Sequence, residues 1–475
     1  MRLRVSLSKT PEGSVPDYRK EVCQTTGRKC ARLPEESVPE YRKEVCRTTG
    51  RKFAKVPKES VPDYLKKVCQ SAESKCARLT EASVTDYRKD VMMLVVLVVG
   101  VDCLPTVSEA VVCSITIAVV VYLLVCITSP LACRPTLHCK PSSLAAYLLK
   151  RCPRLRRQFR PTFWAANAHA QTLLGAVMPR ADGVYFRREF LQMRDHGVVS
   201  LDWAGVVGHA DTYQRHTPVV IVLPTLTGSA ATMSALCALV LARHFRCAVF
   251  NRRGCARTPL ATPRLQSYGD TADLRQVLKY LRALYPRAKI SSVGAGAGAG
   301  LLISYLGDYG SSSYLTAAVC VSPPLDGDTV RVAQPYQRLL LADAQLRVAR
   351  YASAFSAVAD VQRLLACASL DEFECRLHGY ASPDDYWERN APLRDVDDVS
   401  VPVLCVKSLD DPLSPAAALP YDLFRIYPNL FLVTTARGGH CGFWERVAPR
   451  PWAYLLAMDY IEGVMEFTST GESDC

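Results

Sequence analysis

From Phe163 onward, short unbroken apolar runs alternate with longer segments whose apolar positions recur every three or four residues. The first pattern is that of strands covered on both faces, and the second is that of helices packed by one face. Val198 to Trp203 alternates as a strand, and Pro218-Val-Val-Ile-Val-Leu223 is a buried one. A helical stretch follows over Ala231 to His244, then the strand Cys247 to Phe250. Thr271 to Leu284 predicts an amphipathic helix, with Leu274, Val277, Leu278, Leu281 and Leu284 on one side. Lys289 to Val293 reads as a central strand, and Leu301 to Leu306 opens a helix after a glycine-rich turn. Further strands are predicted at Leu315 to Val321, Val401 to Val406 and Asn429 to Thr434, with a final helix over Pro451 to Phe467. Residues 333–392 are helical and irregular. Strands alternating with helices predict an α/β fold built on a mostly parallel, doubly wound sheet. The ligand site of such a sheet lies at the carboxyl ends of its strands.

Upstream the pattern changes. Residues 110–133 carry no charge, which is long enough for one transmembrane helix, and Pro130 marks its end. A buried core helix is the bland alternative. The apolar leader at 92–109 contains Met92 to Val101, a run too short to span a bilayer. It suits the apolar core of a signal peptide, which would make the protein secreted, but the basic start that such a peptide needs is missing. The leader holds Asp102 and Glu109 and no Lys or Arg, whereas Arg134, Lys140, Lys150, Arg151, Arg154, Arg156, Arg157 and Arg160 follow the span. That asymmetry predicts a cytosolic domain over 161–475, joined by a basic juxtamembrane linker at 134–160 that lies on an anionic leaflet.

Residues 1–91 hold a repeat. Ser14-Val-Pro-Asp-Tyr18 recurs at Ser37, Ser60 and Ser83, each start having the form of a helix N-cap. The apolar face of each unit is thin, so the segment is expected to be disordered, or to be an extension of the gene ahead of a true start at Met92-Met93. It carries 21 Lys and Arg against 13 Asp and Glu, more than half of the net charge of +13. An excess of that size suits an anionic membrane surface and does not argue for nucleic acid. The 20 cysteines are scattered, without zinc spacing, and are expected to be reduced thiols. Cys133, Cys139 and Cys152 flank the predicted span, where palmitoylation is conceivable. Neither a metal nor a cofactor is expected.

The chemistry centres on Gly294-Ala295-Gly296-Ala297-Gly298-Ala299-Gly300. Gly294, Gly296 and Ala299 satisfy a dinucleotide fingerprint, but the next strand ends in Ser322-Pro323-Pro324, where that reading needs an acid. The same turn fits the G-x-S-x-G nucleophile elbow with glycine in place of serine. Asp411 and His440 stand beyond the ends of the last two predicted strands. Nucleophile, acid, histidine is the chain order of the α/β-hydrolases. In such a site the acid orients the imidazole, which takes a proton from the serine.

Residues 161–460 resemble the membrane-anchored α/β-hydrolases of the bacterial YheT type and their animal relatives. The matching residues are Trp164-x-x-Asn167-x-His169-x-Gln171-Thr172, Asp195-x-Gly197, Leu201-Asp202-Trp203 and Leu223-Pro224-Thr225-Leu226-Thr227-Gly228. They continue with Phe250-Asn251-x-Arg253-Gly254, Thr262-Pro263-Arg264, Gly269-Asp270-Thr271-x-Asp273, Tyr386-Trp387, Asp410-Asp411-Pro412 and Gly438-Gly439-His440-x-Gly442-Phe443. The resemblance implies an α/β-hydrolase fold with a helical lid at about 333–392, and activity on glycerolipid esters. It also implies Asp411 and His440 as acid and histidine, and an oxyanion-type loop at Thr225, Leu226 and Ala297. Two departures stand out. Gly296 has no oxygen to attack an ester, and Ser291 and Ser292 lie upstream of the apex. Thr225 replaces the family's glycine, where a side chain crowds the oxyanion amides. The expectation is a single-pass membrane protein, a relict hydrolase that binds a lipid or, through its lid, a protein partner. The alternative is an active lipase or carboxylesterase with a non-standard nucleophile or with water activated by His440.

Overall fold

The computed structural model describes residues 132–177, 181, 183–207, 213–325, 334–416 and 419–473, with isolated positions at 116, 120 and 121. The repeat, the apolar leader and the predicted span as far as residue 131 lie outside the described residues, apart from those three positions. Among the described residues no helix is long and apolar enough to cross a membrane.

The first elements are a short strand, β1 (Thr136–His138), and a helix, α1 (Ser143–Arg151), whose N-cap Ser142 accepts from the Ala145 amide. Helix α2 (Ala168–Val177) leads to the hairpin of β2 (Val184–Gln192) and β3 (Val198–Val206). The doubly wound part then runs β4 (Val219–Leu223), α3 (Ser234–Ala242), β5 (Arg246–Asn251), α4 (Ala272–Leu284), β6 (Ile290–Ala295), α5 (Ala297–Tyr309) and β7 (Ala317–Val321). An insertion of five helices follows, α6 (Gln334–Arg350), α7 (Ala352–Phe355), α8 (Val361–Leu365), α9 (Leu370–His378) and α10 (Pro383–Asn390). Ser369 and Ser382 cap α9 and α10, which fixes where each begins. The chain ends with β8 (Val403–Ser408), α11 (Tyr421–Ile426), β9 (Leu430–Thr435) and α12 (Trp452–Ser473).

The strands form one nine-stranded sheet in the order β1-β9-β8-β7-β6-β4-β5-β3-β2. From β5 to β9 the pairs are parallel, and β1, β2 and β3 join antiparallel. Successive residues of the parallel strands serve opposite faces. Val220, Val222, Val293, Val319, Val406 and Val433 pack with α1, α3 and α12. Val219, Ile221, Ile290, Cys320, Cys405 and Leu432 pack with α4 and α5. Both sets are apolar because helices cover both faces, which is why these strands read as continuous apolar runs.

Residues 134–160 belong to this fold and are not a linker. Thr136 pairs with Thr434 and His138 with Leu432 at the edge of the sheet. Phe159 is fully buried, with ring centroids 5.0 Å from Trp452 and 6.3 Å from Phe443. The basic side chains that suggested a linker lie at the surface, and two of them pair with α12: Arg151 with Glu466 at 2.7 Å, and Arg154 with Asp459. Cys152 is buried as well, its thiol donating to the Asp459 carbonyl and pushed up to about 12 by burial, so it is no acylation site.

Candidate functional site

The turn between β6 and α5 is held by three glycines that do two different jobs. Gly296 sits at its apex with φ +52° and ψ −118°, a conformation costly for any residue with a Cβ. Gly294 and Gly298 are there for contact. A Cβ on Gly298 would lie 2.2 Å from the Leu223 carbonyl oxygen, and one on Gly294 would lie 2.6 Å from that of Gly298. These approaches let α5 start directly against the ends of β4 and β6. The Gly296 amide donates to the Val321 carbonyl at 2.9 Å, tying the apex to β7. Ser291 and Ser292 are fully buried within β6, and the Ser292 hydroxyl donates to the Ile221 carbonyl at 3.1 Å. Neither reaches the apex.

His440 and Asp411 meet as their strand-end positions predict. The His440 Nδ1 is 3.0 and 3.1 Å from the two carboxylate oxygens of Asp411. Its Nε2 faces the elbow, 3.0 Å from where a Cβ on Gly296 would stand. Asp411 also accepts from the amides of Leu413 at 2.9 Å and Ser414 at 3.0 Å. Behind it lies Lys407, fully buried, whose Nζ is 3.3 Å from Asp411 Oδ2 and donates to the Pro323 carbonyl. Burial pushes the Asp411 carboxyl up, but His440, Lys407 and the amides outweigh it and hold it below the usual range. Burial pushes the Lys407 ammonium down, against the pull of Asp411. Burial also pushes His440 down, and Asp411 overcomes it, raising the imidazole to about 10.

Three residues place the histidine loop. The His440 amide donates to Thr172 Oγ1 at 2.9 Å, the Cys441 amide to Ser322 Oγ at 2.9 Å, and the Gly439 amide to Asp410 at 2.9 Å. Thr172 was legible as part of a motif; its role was not. Ser322 stands where the dinucleotide reading needed an acid, and it serves the histidine loop instead. Lys407 left no signal in the sequence, because a lysine at a strand end reads as solvated. Among the described residues no cluster of His, Cys, Asp or Glu is placed to hold a metal.

The oxyanion-type loop lies opposite. Thr225 Cγ2 is 3.4 Å from the Cβ position of Gly296, so its side chain does stand against the elbow. Ala297 opens α5, and its carbonyl accepts from Arg252 Nη2 at 3.0 Å. Helix α6 bridges the two sides. Near its start the Tyr336 hydroxyl is 2.8 Å from His169 Nδ1 on α2, and farther along Arg347 donates to the Leu226 carbonyl at 3.0 Å.

A model of the alpha/beta hydrolase fold matches residues 218–390. Over 355 residues the chain is 39% identical to Protein ABHD15 of Homo sapiens, covering 71% of this chain and 75% of that protein. It is 32% identical to Phospholipase ABHD3 of Mus musculus, covering 71% and 86%. It is 26% identical to Monoacylglycerol lipase ABHD2 of Bos taurus, covering 78% and 95%. The chain belongs to the α/β-hydrolase domain-containing family.

Several motif residues of this hydrolase fold form a scaffold beside the site. Arg253, at the carboxyl end of β5, is 3% exposed and forks to two carboxylates. Its Nε and Nη2 donate to Asp273 at 2.6 Å, and its Nη1 and Nη2 donate to Asp195 at 2.6 and 2.8 Å. Gly197 leaves room for it, since a Cβ there would lie 2.2 Å from Arg253 Nη1. The β2–β3 turn, the end of β5 and the start of α4 are thereby held by one guanidinium.

Proposed function

We propose that this hydrolase-fold protein binds an acyl lipid at the Asp411–His440 site and does not hydrolyse it through a serine acyl-enzyme. The observation that carries the reading is Gly296 at the apex of an otherwise complete elbow, with His440 Nε2 aimed at it. Acyl-enzyme formation needs an attacking oxygen at that apex, and glycine supplies none. Hydrolysis by water activated at His440 is the competing route. Asp411 raises the imidazole, and a base held toward its protonated form is a poorer proton acceptor. A lipid ligand is supported by the relatives named as a phospholipase and a monoacylglycerol lipase. A membrane anchor at 110–133, with the hydrolase domain in the cytosol, is supported by the uncharged run and the basic residues after it. The helical insertion above the site is the surface open to a protein partner.

The test is a fluorophosphonate probe applied to the full-length protein beside Gly296→Ser. No labelling of the parent and clear labelling of the variant are expected. Labelling or ester turnover in the parent, abolished by His440→Ala, would overturn the reading.

A further inference from the structure

The Leu226–Gly228 loop, the Gly254–Ala256 turn after β5 and the later half of α6 enclose a cleft of about 130 Å³. Arg347 and Arg350 line it from α6, together with Asp343 and Leu346. Arg252 lines the adjoining recess beneath Leu223–Leu226, which shares Leu226, Gly228 and Cys255 with the cleft. Two guanidiniums thus line the cleft and a third lines the recess beside it, against one carboxylate. That carboxylate, Asp343, is already paired with Arg347. Among the described residues neither Arg252 nor Arg350 has a carboxylate within ion-pairing distance. Arg252 finds only the Ala297 carbonyl, a neutral acceptor. Burial pushes its guanidinium down, and Arg347 nearby adds to the effect. Arg252 is half-buried, and a cation partly withdrawn from water without a counter-charge is costly, a cost that an anion entering beside it offsets.

We propose that this cleft takes the anionic head of an acyl lipid, a carboxylate or a phosphate, with Arg252, Arg347 and Arg350 as its counter-charges. The proposal rests on the acyl-lipid reading above and adds the ligand class. The guanidinium fork matches both head groups in geometry. The cleft borders Leu226, one residue beyond the Thr225 side chain that faces Gly296, so an occupant lies at the edge of the Asp411–His440 site. It is too small for a whole lipid. The chain has to leave past Leu346, which lines the cleft and is 66% exposed, giving the first methylenes an apolar contact.

The test measures binding of oleate, oleoyl lysophosphatidate and monooleoylglycerol to the full-length protein, with inorganic phosphate as a competitor. The expected result is that both anionic lipids bind at least about tenfold more tightly than the neutral glyceride. Arg252→Gln and Arg350→Glu each remove most of that preference while the glyceride affinity holds. Arg350 is exposed, so its variant keeps the test valid if Arg252→Gln does not fold, and thermal melting checks both. Equal affinity for the glyceride, or a preference that survives both substitutions, overturns the proposal and leaves the acyl-lipid reading standing. Displacement by inorganic phosphate at concentrations that match lysophosphatidate makes this a free-anion site and overturns the lipid assignment. Binding of no lipid overturns both.

Discussion

A Cβ at position 296 would stand 3.0 Å from His440 Nε2 and 3.4 Å from Thr225 Cγ2, on a backbone with φ +52°. Restoring serine there places a hydroxyl beside the imidazole and strains the turn. Gly296→Ser is therefore expected to lose about 1–3 kcal/mol of stability in urea melts while gaining probe labelling. Gly298→Ala should cost more and gain nothing, because its Cβ would meet the Leu223 carbonyl at 2.2 Å in a packed backbone contact that has no side chain to move. A milder loss for Gly298→Ala than for Gly296→Ser would contradict this account of the turn. The His440–Asp411 pair has a pH signature. The fold raises the histidine from 6.5 to about 10, so it favours the protonated ring. That stabilisation is fully present below about 6.5 and is lost as the pH rises toward about 10. An NMR titration should find His440 protonated at neutral pH and Asp411→Asn bringing its midpoint down. A parent midpoint below 6.5 would reject it. The order of Gly296, Asp411 and His440 was legible in the sequence because each follows an apolar strand. The roles of Thr172 and Ser322 were not, since their bonds cross between elements far apart in the chain, and Lys407, only four residues from Asp411, reads as a solvated lysine at a strand end.

Among the elements, Arg253 shows how a motif becomes a scaffold. It satisfies Asp195 and Asp273 at once, so removing it strands two carboxylates, one of them buried. Arg253→Met is expected to destabilise by about 3–5 kcal/mol. Asp273→Asn paired with Arg253→Met should recover part of the loss in a double-mutant cycle. Several elements escaped the sequence reading, β2, β1 and α1 among them. Strand β2 breaks its apolar residues into two groups around the charged run Arg187-Arg188-Glu189, and it lies at the edge of the sheet. Strand β1 and helix α1 were hidden by the basic residues in and around them, which lie at the surface while Leu148, Leu155 and Phe159 of this segment lie within. The insertion of α6 to α10 was legible as helical but not in its attachment. Only the structure shows Tyr336 meeting His169 and Arg347 meeting Leu226 from one helix.

For the molecule as a whole, the folded unit begins earlier than the family resemblance at residue 161 suggests. A chain lacking residues 1–160 loses β1, α1 and the Phe159 contacts with Trp452 and Phe443, so its melt should broaden and its midpoint fall well below that of a chain lacking residues 1–131. Coincident melts would show the early segment to be dispensable. The sheet order also settles where the chain enters. Thr136 pairs with Thr434, near the carboxyl end of β9, and His440 follows that same end. Entry point and site therefore share one rim of the sheet. At no more than about 3.6 Å per residue, the four peptide steps from Thr136 back to residue 132 reach under about 15 Å, and Cys133 on the way is bridged to Phe159. Any surface or partner gripping the chain there is held at the rim at an effective concentration in the millimolar range. Ligand delivery to the site then becomes a matter of local supply, with bulk abundance secondary.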